Sequence, residues 1–380
     1  MAQVYESRNP SPGPTGLRAL WERWSPALVP VFAVFTALLL GALMIGLTGG
    51  DWLAAYTGLF QGALGSPRAL ADTVVRATPF IISGLAVALA FKSGLFNVGA
   101  EGQLYAGAVF AVVVATTLRL PAIFHIPLSI LAGALGGAAW AAIAGVLKAR
   151  TGAHEVINTI MLNYVALRIT EWLIRNREPL ILGDPADTTT SRTRIVEATA
   201  RYPGIPIETT TLHLGILIAI GLVFLVSWSL NRTTVGFELR TAGANPNAAR
   251  YAGISVPRTI VLAMALSGAL AGVAGAGEVL GVRGSLSADF FSGLGFDAIA
   301  VALLARSNPI GIIFSGLLWG ALLTGARLMQ VRASLSIDVI KIVQAFIIMF
   351  VAADQIVRYI YRIPRRKPGE ETVISKGWGG

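Results

Sequence analysis

The polar side chains that could act on a solute are few, and they lie inside long apolar stretches. Glu101 sits in a glycine-rich break with Asn97 and Gln103, reading Asn97-Val-Gly-Ala-Glu-Gly-Gln103. An ionisable group within an apolar span is costly, and function is its default explanation. One carboxylate and two amides offer hydrogen bonds to a polar solute, with nothing nearby to break a covalent bond. Two readings of Glu101 follow from the residues: a polar stretch of a translocation path, or a cap near the cytoplasmic surface on the helix that follows. Asn158 and Asn163 lie five apart on one expected helix, so they do not share a face tightly. Each would either bond a solute or bridge helices. Glu278 and Asp297 fall near the expected outer ends of their helices, where they would meet an external partner, line a path entrance, or snorkel to water.

Other chemistries are excluded more firmly. The chain has no cysteine, which removes disulfides and thiolate metal sites. His125, His154 and His213 are far apart in sequence and lack metal-ligand spacing. No nucleophile elbow appears. No phosphate-cradling glycine loop ending in Gly-Lys-Ser/Thr appears, and none of the five lysines follows a glycine. No metal, cofactor or catalytic group is therefore expected on this chain. The net charge of +10 is carried in short loops between apolar runs. That placement marks cytoplasmic faces by the positive-inside rule. It lacks the aromatic-interleaved patch of a nucleic-acid binder.

The elements that must hold these residues are membrane helices. Only 13% of the 380 residues are charged and 54% are hydrophobic, whereas a soluble chain carries about 25% charged residues. Apolar runs cover 27–47, 73–90, 107–118, 126–147, 212–230, 260–280, 310–324 and 339–352. With a span from His154 to Arg175 and a shorter one from Gly295 to Arg306, these predict about ten transmembrane helices. The expected fold class is an all-α polytopic membrane protein with both termini cytoplasmic, and the first apolar run is a retained helix. Five helices before and five after an outer loop would form two inverted halves, an arrangement common in transporters. Irregular or re-entrant backbone is expected around Asn97 and Asp289.

The domain limits follow. Residues 1–26, rich in Pro, Ser and Gly, form a disordered cytoplasmic tail. Residues 27–362 form the membrane domain, and 363–380 a cytoplasmic tail ending the chain. Residues 176–211 are an external loop of nearly balanced charge. Residues 231–258 form a cytoplasmic loop in which Arg232, Arg240, Arg250 and Arg258 outnumber Glu238.

That cytoplasmic loop carries the most specific pattern. Asn245 is a good N-cap, Pro246 fits the first helical position, and Gly253 is placed to end the helix in a left-handed conformation. The result is a helix of about two turns, which is too short to be stable alone and needs a docking surface on this chain or on a partner. The loop resembles the coupling loop of ATP-binding-cassette importer permeases of the ribose and nucleoside type. Gly236, Arg240, Gly243, Asn245, Ala248, Ala249, Gly253 and Ile254 occupy the places of that pattern, with Pro246 and Arg250 between them.

Three further stretches resemble the nucleoside branch of that family: 84–103 (GLAVALAFKSGLFNVGAEGQ), 155–166 (EVINTIMLNYVA) and 295–311 (GFDAIAVALLARSNPIG). The resemblance covers most of 73–354. It implies a multi-pass permease in a prokaryotic cell membrane, surrounded by lipid, with the short helix seated in a groove of a cytoplasmic ATP-binding subunit. It also implies a second, unlike permease and an external substrate-binding lipoprotein, with ATP held by the partner subunit. Nucleosides are the implied cargo, and simple sugars of the ribose type are the alternative. A different class, an ion-coupled secondary transporter, would use Glu101 as its coupling site but gives the capped cytoplasmic helix nothing to do.

Overall fold

The computed structural model describes residues 17–175, 182–184, 191–287, 293–352 and 354–362. The chain divides into two compact units, one of residues 1–53 with 335–371 and one built from 54–334. In chain order the helices are α1 (Leu17–Leu47), α2 (Trp52–Leu64), α3 (Pro67–Lys92), α4 (Ala100–Thr117), α5 (Ala122–Thr151) and α6 (Glu155–Arg175). A two-stranded antiparallel hairpin follows, β1 (Gly204–Ile207) with β2 (Thr210–His213), Gly204 opposite His213. Then come α7 (Gly215–Arg232), α8 (Thr234–Ala244), α9 (Pro246–Tyr251) and α10 (Val256–Glu278), the last running into a π-helical turn at Val279–Arg283. The chain continues through α11 (Leu294–Leu304), α12 (Pro309–Ala333), α13 (Ile337–Ala352) and α14 (Asp354–Ile360).

Every expected apolar run lies on a helix, except that residues 212–214 of one run belong to the end of the hairpin before α7. Among the described residues, six helices are long and apolar enough to cross a membrane: α3, α4, α5, α7, α10 with its π turn, and α12. The stretch Phe32–Leu47 and helix α11 are apolar but shorter. Three helices were not expected. α2 has 13 residues, below the roughly 20 that make a span visible in sequence. α8 and α14 are short and mixed in polarity. The limit at residue 26 is corrected, because α1 already begins at Leu17. The rest of the expected N-terminal tail, the C-terminal tail and the segment around Asp289 lie outside the described residues.

The described part of the segment expected to form an outer loop is more ordered than a polar linker. Thr193 N–H donates to the Leu286 carbonyl at 2.8 Å, Val196 N–H to Gly284 at 2.9 Å and Tyr202 N–H to Leu280 at 3.0 Å. These bonds stitch the loop to the segment after α10. Composition did not show this, since the bonds are between backbone groups.

In the first unit α1 packs against α13 and α14. The Phe32 ring stacks on Tyr361 at 4.5 Å between centroids, and the Thr36 and Tyr361 hydroxyls are 2.8 Å apart. In the second unit α10 is central, packed on α5, α4 and α3, while α12 lies along α3. The glycine-rich faces explain the closeness. A Cβ at Gly137 would overlap the Gly268 carbonyl oxygen, and one at Gly107 would overlap the Gly272 backbone. Small residues let membrane helices approach until backbones touch, which is what drives packing where lipid supplies no hydrophobic force.

Candidate functional site

The loop between α7 and α10 folds as two short helices. Thr233 caps α8, its Oγ1 accepting from Gly236 N–H at 3.1 Å. Asn245 caps α9, its Oδ1 accepting from Asn247 N–H at 3.0 Å and Ala248 N–H at 3.1 Å, with Pro246 next in line. Gly253 stands at φ +79° beyond the helix, and Ile254 N–H closes back on the Ala249 carbonyl at 3.0 Å. Six residues cannot hold a helix unaided. Part of the docking is internal: Ala249 is buried, and α9 rests on α8 and α10. The opposite face is open. Arg240 and Arg250 are exposed, Phe237 is 55% exposed and Tyr251 is 95% exposed. Arg250 Nη1 donates to Asn247 Oδ1 at 3.3 Å.

Two glycines of this loop fix its position on the membrane helices. Gly236 lies on the Ser229–Leu230 backbone of α7. Gly243 lies against the turn after α3: a Cβ there would stand 2.5 Å from Ser93 C, 2.6 Å from Gly94 N and 2.8 Å from Lys92 O. All three are backbone atoms, so α8 touches the α3–α4 junction directly.

From that turn the chain runs without helical structure until Gly99, and here the Asn97 cluster is found. Asn97 Nδ2 donates to Gln103 Oε1 at 2.9 Å and to Ser267 Oγ at 2.8 Å. Its Oδ1 accepts from Gly99 N–H at 2.9 Å and Gln103 Nε2 at 3.0 Å. Ser267 on α10 in turn donates to the Ala86 carbonyl of α3 at 2.8 Å. Asn163 joins from α6, donating to Val98 O at 2.9 Å and accepting from Gly102 N–H at 2.8 Å. Irregular backbone at membrane depth is tolerated only where its groups are satisfied, and these amides satisfy it. Asn97, Gln103 and Asn163 are buried in this network.

Glu101 does something neither sequence reading anticipated: it caps a different helix. Its carboxylate accepts from Gly293 N–H at 3.0 Å and Gly295 N–H at 2.5 Å, at the start of α11. A carboxylate at a helix N-terminus satisfies free N–H groups and meets the positive end of the helix dipole. Asp297 lies on the first turn of the same helix. The 11 residues of α11 span only ~16 Å, and the helix begins where Glu101 is buried.

Glu278 belongs to a separate cluster. It pairs with Arg283 at 3.6 Å and lines a cavity of about 10 Å³ with Thr78, Tyr202 and His213. The His213 Nδ1 accepts from Gly215 N–H at 3.1 Å, and its ring lies 5.9 Å from that of Tyr202. Burial lowers the His213 pKa and raises that of Tyr202. Asn158 joins neither cluster, and its Nδ2 is buried without a hydrogen-bond partner among the described residues. The structure thus brings together Asn97, Gln103 and Asn163, places Glu101 with Asp297 beside them, and sets Glu278 apart. Sequence reasoning missed Ser267, Gly94, Tyr202 and the role of His213. Only Gly94 carried a local signal, a glycine closing a helix at φ +72°; the others act through contacts distant in sequence.

Residues 69–352 match the family described as branched-chain amino acid transport system / permease component. The guanosine ABC transporter permease protein NupP of Bacillus subtilis is 41% identical over 348 residues, covering 89% of this chain and 97% of that protein. The nucleoside ABC transporter permease protein NupB of Lactococcus lactis is 35% identical over 92% of this chain and 97% of its own length. The glucose ABC transporter permease protein TsgB13 of Haloferax volcanii is 34% identical over 87% of this chain and 88% of its own. No solved structure matches the chain.

Proposed function

This chain belongs to the permease family of the branched-chain amino acid transport systems, and we propose that it is the membrane-spanning permease of an ATP-driven importer whose cargo is nucleosides. The observation that carries the cargo is likeness over nearly the whole chain to permeases named for guanosine and nucleosides. In this reading the chain is not an enzyme. ATP is bound and hydrolysed by a cytoplasmic subunit, a second and unlike permease completes the path, and an external lipoprotein delivers the nucleoside. The assembly sits in the plasma membrane of a prokaryote with both ends of this chain in the cytoplasm.

The contact between Gly243 and Gly94 supports a route for the coupling. The ATPase seats α9 and the exposed face of α8, and its closure displaces them together, because α9 is braced on α8. Backbone touching backbone at Gly243 passes that displacement to the α3–α4 turn without a soft side chain between. The turn leads through Asn97 into α4, whose Glu101 holds the start of α11. Rocking of α4 and α11 against α10 then alternates access along the path. Packed helices of this kind shift as bodies.

Uptake of labelled inosine by cells lacking this gene, with and without the gene restored, tests the cargo. Gene-dependent uptake that collapses on ATP depletion and ignores excess ribose is the expected result. The likeness to TsgB13 favours a second reading, a sugar permease. Competition by ribose or glucose would move the cargo to sugars.

A further inference from the structure

The small cavity beside Glu278 carries an imbalance of hydrogen-bonding groups. Its lining includes Thr78 of α3, Tyr202 ahead of the hairpin, His213 at the end of β2, Gly215 of α7, and Gly277 and Glu278 of α10. Tyr202 is 7% exposed and His213 4%. Neither the Tyr202 hydroxyl nor His213 Nε2 has a hydrogen-bond partner among the described residues. The tautomer of His213 follows from its other nitrogen. Nδ1 accepts from Gly215 N–H at 3.1 Å, so in the neutral ring the proton sits on Nε2. Glycines make room for that ring: a Cβ at Gly215 would stand 2.7 Å from His213 Cε1, and one at Gly281 2.9 Å. Two donors are therefore buried without a protein acceptor. Leaving such groups unmet is costly, and native proteins satisfy them with protein groups or ordered water.

Acceptors line the same cavity. Glu278 brings a carboxylate, whose Oε2 lies 3.6 Å from Arg283 Nε. Thr78 Oγ1 donates to the Val74 carbonyl at 2.9 Å and so keeps its lone pairs. An occupant of the cavity must accept from two donors and donate to a carboxylate. A cation fails against the two donors, and an anion fails against Glu278. Size excludes larger ligands: the cavity's volume of about 10 Å³ matches the room one water needs and is far below the roughly 300 Å³ of the smallest small-molecule pockets.

We propose that this cavity is the binding site of a single ordered water, which accepts from Tyr202 Oη and His213 Nε2 and donates to Glu278 and Thr78. Buried waters make about three such bonds, with four as the upper end of their range. The partners come from four separate parts of the chain: α3, the segment before the hairpin, β2 and α10. Tyr202 N–H already ties that segment to the Leu280 carbonyl at 3.0 Å. The water adds a side-chain bridge from the same residue to the end of α10, holding the segment and the hairpin on the helices together. This role is independent of the cargo.

Two small substitutions separate a water-filled cavity from a dry one by the sign of their effect. Tyr202→Phe removes a hydroxyl and keeps the ring. Gly277→Ala adds a methyl on the cavity wall, 4.0 Å from Tyr202 Oη and Cε2, an ordinary contact that takes up the water's space. In a dry cavity both would stabilise, one by deleting an unmet donor and the other by filling space and improving a helix. With the water present both lose hydrogen bonds. Amide exchange of residues 193–213 is measured at constant pH on the importer assembled with its ATPase and partner permease. Each variant is expected to lose about tenfold in protection. In the Gly277→Ala background Tyr202→Phe is expected to regain protection, because the displaced water leaves the hydroxyl unmet. A structure of the same complex that shows solvent is expected to place one peak about 2.8 Å from both Tyr202 Oη and His213 Nε2. Unchanged or higher protection in either single variant would overturn the proposal. So would a cavity without density where neighbouring waters are visible, or a peak within about 2.4 Å of the Glu278 carboxylate, which would be a cation.

Discussion

Gly243→Ala places a methyl group where the structure has none to spare. The added carbon would stand 2.5 Å from Ser93 C and 2.6 Å from Gly94 N, and ordinary contact requires about 1 Å more. The neighbours are backbone, so no side chain can rotate away; α8 or the α3–α4 turn must move. Overpacking of this kind costs roughly 1–3 kcal/mol, and a cost falling on one state of the transport cycle alters its population about tenfold or more. The expected outcome is a protein that inserts and co-purifies with its ATPase, keeps basal ATP hydrolysis, and loses about tenfold in nucleoside uptake. Gly253→Ala is the matched control. Its φ of +79° makes alanine strained, but no atom lies within 4 Å of the new carbon, so the cost is ~1 kcal/mol and local. Uptake and ATPase are measured on the same proteoliposomes. Wild-type uptake by Gly243→Ala, or a larger loss from Gly253→Ala, would refute transmission through the Gly243–Gly94 contact.

Glu101→Gln replaces one carboxylate acceptor of the α11 N-terminus with an amide that offers donors to donors. It is expected to cost about 1–3 kcal/mol, seen as a lower melting temperature of the detergent-purified importer, with Glu101→Asp intermediate. Asn163→Ala strips the bonds that its side chain makes to Val98 and Gly102, and hydrogen exchange of residues 98–102 should rise while uptake falls. Tyr251→Ala should weaken co-purification of the ATPase, because a ring 95% exposed on α9 has only a partner to bury it. His213, whose pKa burial holds below its ordinary 6.5, favours the docked hairpin when neutral. That stabilisation is complete above about pH 6.5 and is lost as pH falls through the lowered value. Protection of residues 204–213, expressed relative to the intrinsic exchange rate at each pH, should therefore fall between pH 7.5 and 5.5, and His213→Gln should abolish the change.

Hydropathy made the membrane spans legible because lipid imposes one rule on every span. Local punctuation made α9 legible, with Asn245, Pro246 and Gly253 each in the place its backbone preference dictates. What stayed hidden depended on distant partners. Nothing near Glu101 in sequence shows that its carboxylate reaches across to Gly293 and Gly295, and the 13 residues of α2 are too few to register as a span. Gly243 was visible as part of a pattern, but its reason, the approach of the Gly94 backbone, exists only in three dimensions. The polarity of α6 was visible as two asparagines. Asn163 faces inward to brace the non-helical backbone before α4.

The most direct test of the central claim is ATP-driven accumulation of labelled guanosine in proteoliposomes containing this chain, its partner permease, the ATPase and the binding lipoprotein. We predict accumulation against a gradient that needs all four proteins, stops when the ATPase cannot hydrolyse ATP, and is competed by inosine but not by glucose, ribose or leucine. Accumulation of glucose or leucine in place of guanosine would contradict the nucleoside assignment, and guanosine uptake that follows an ion gradient without ATP would contradict the importer itself.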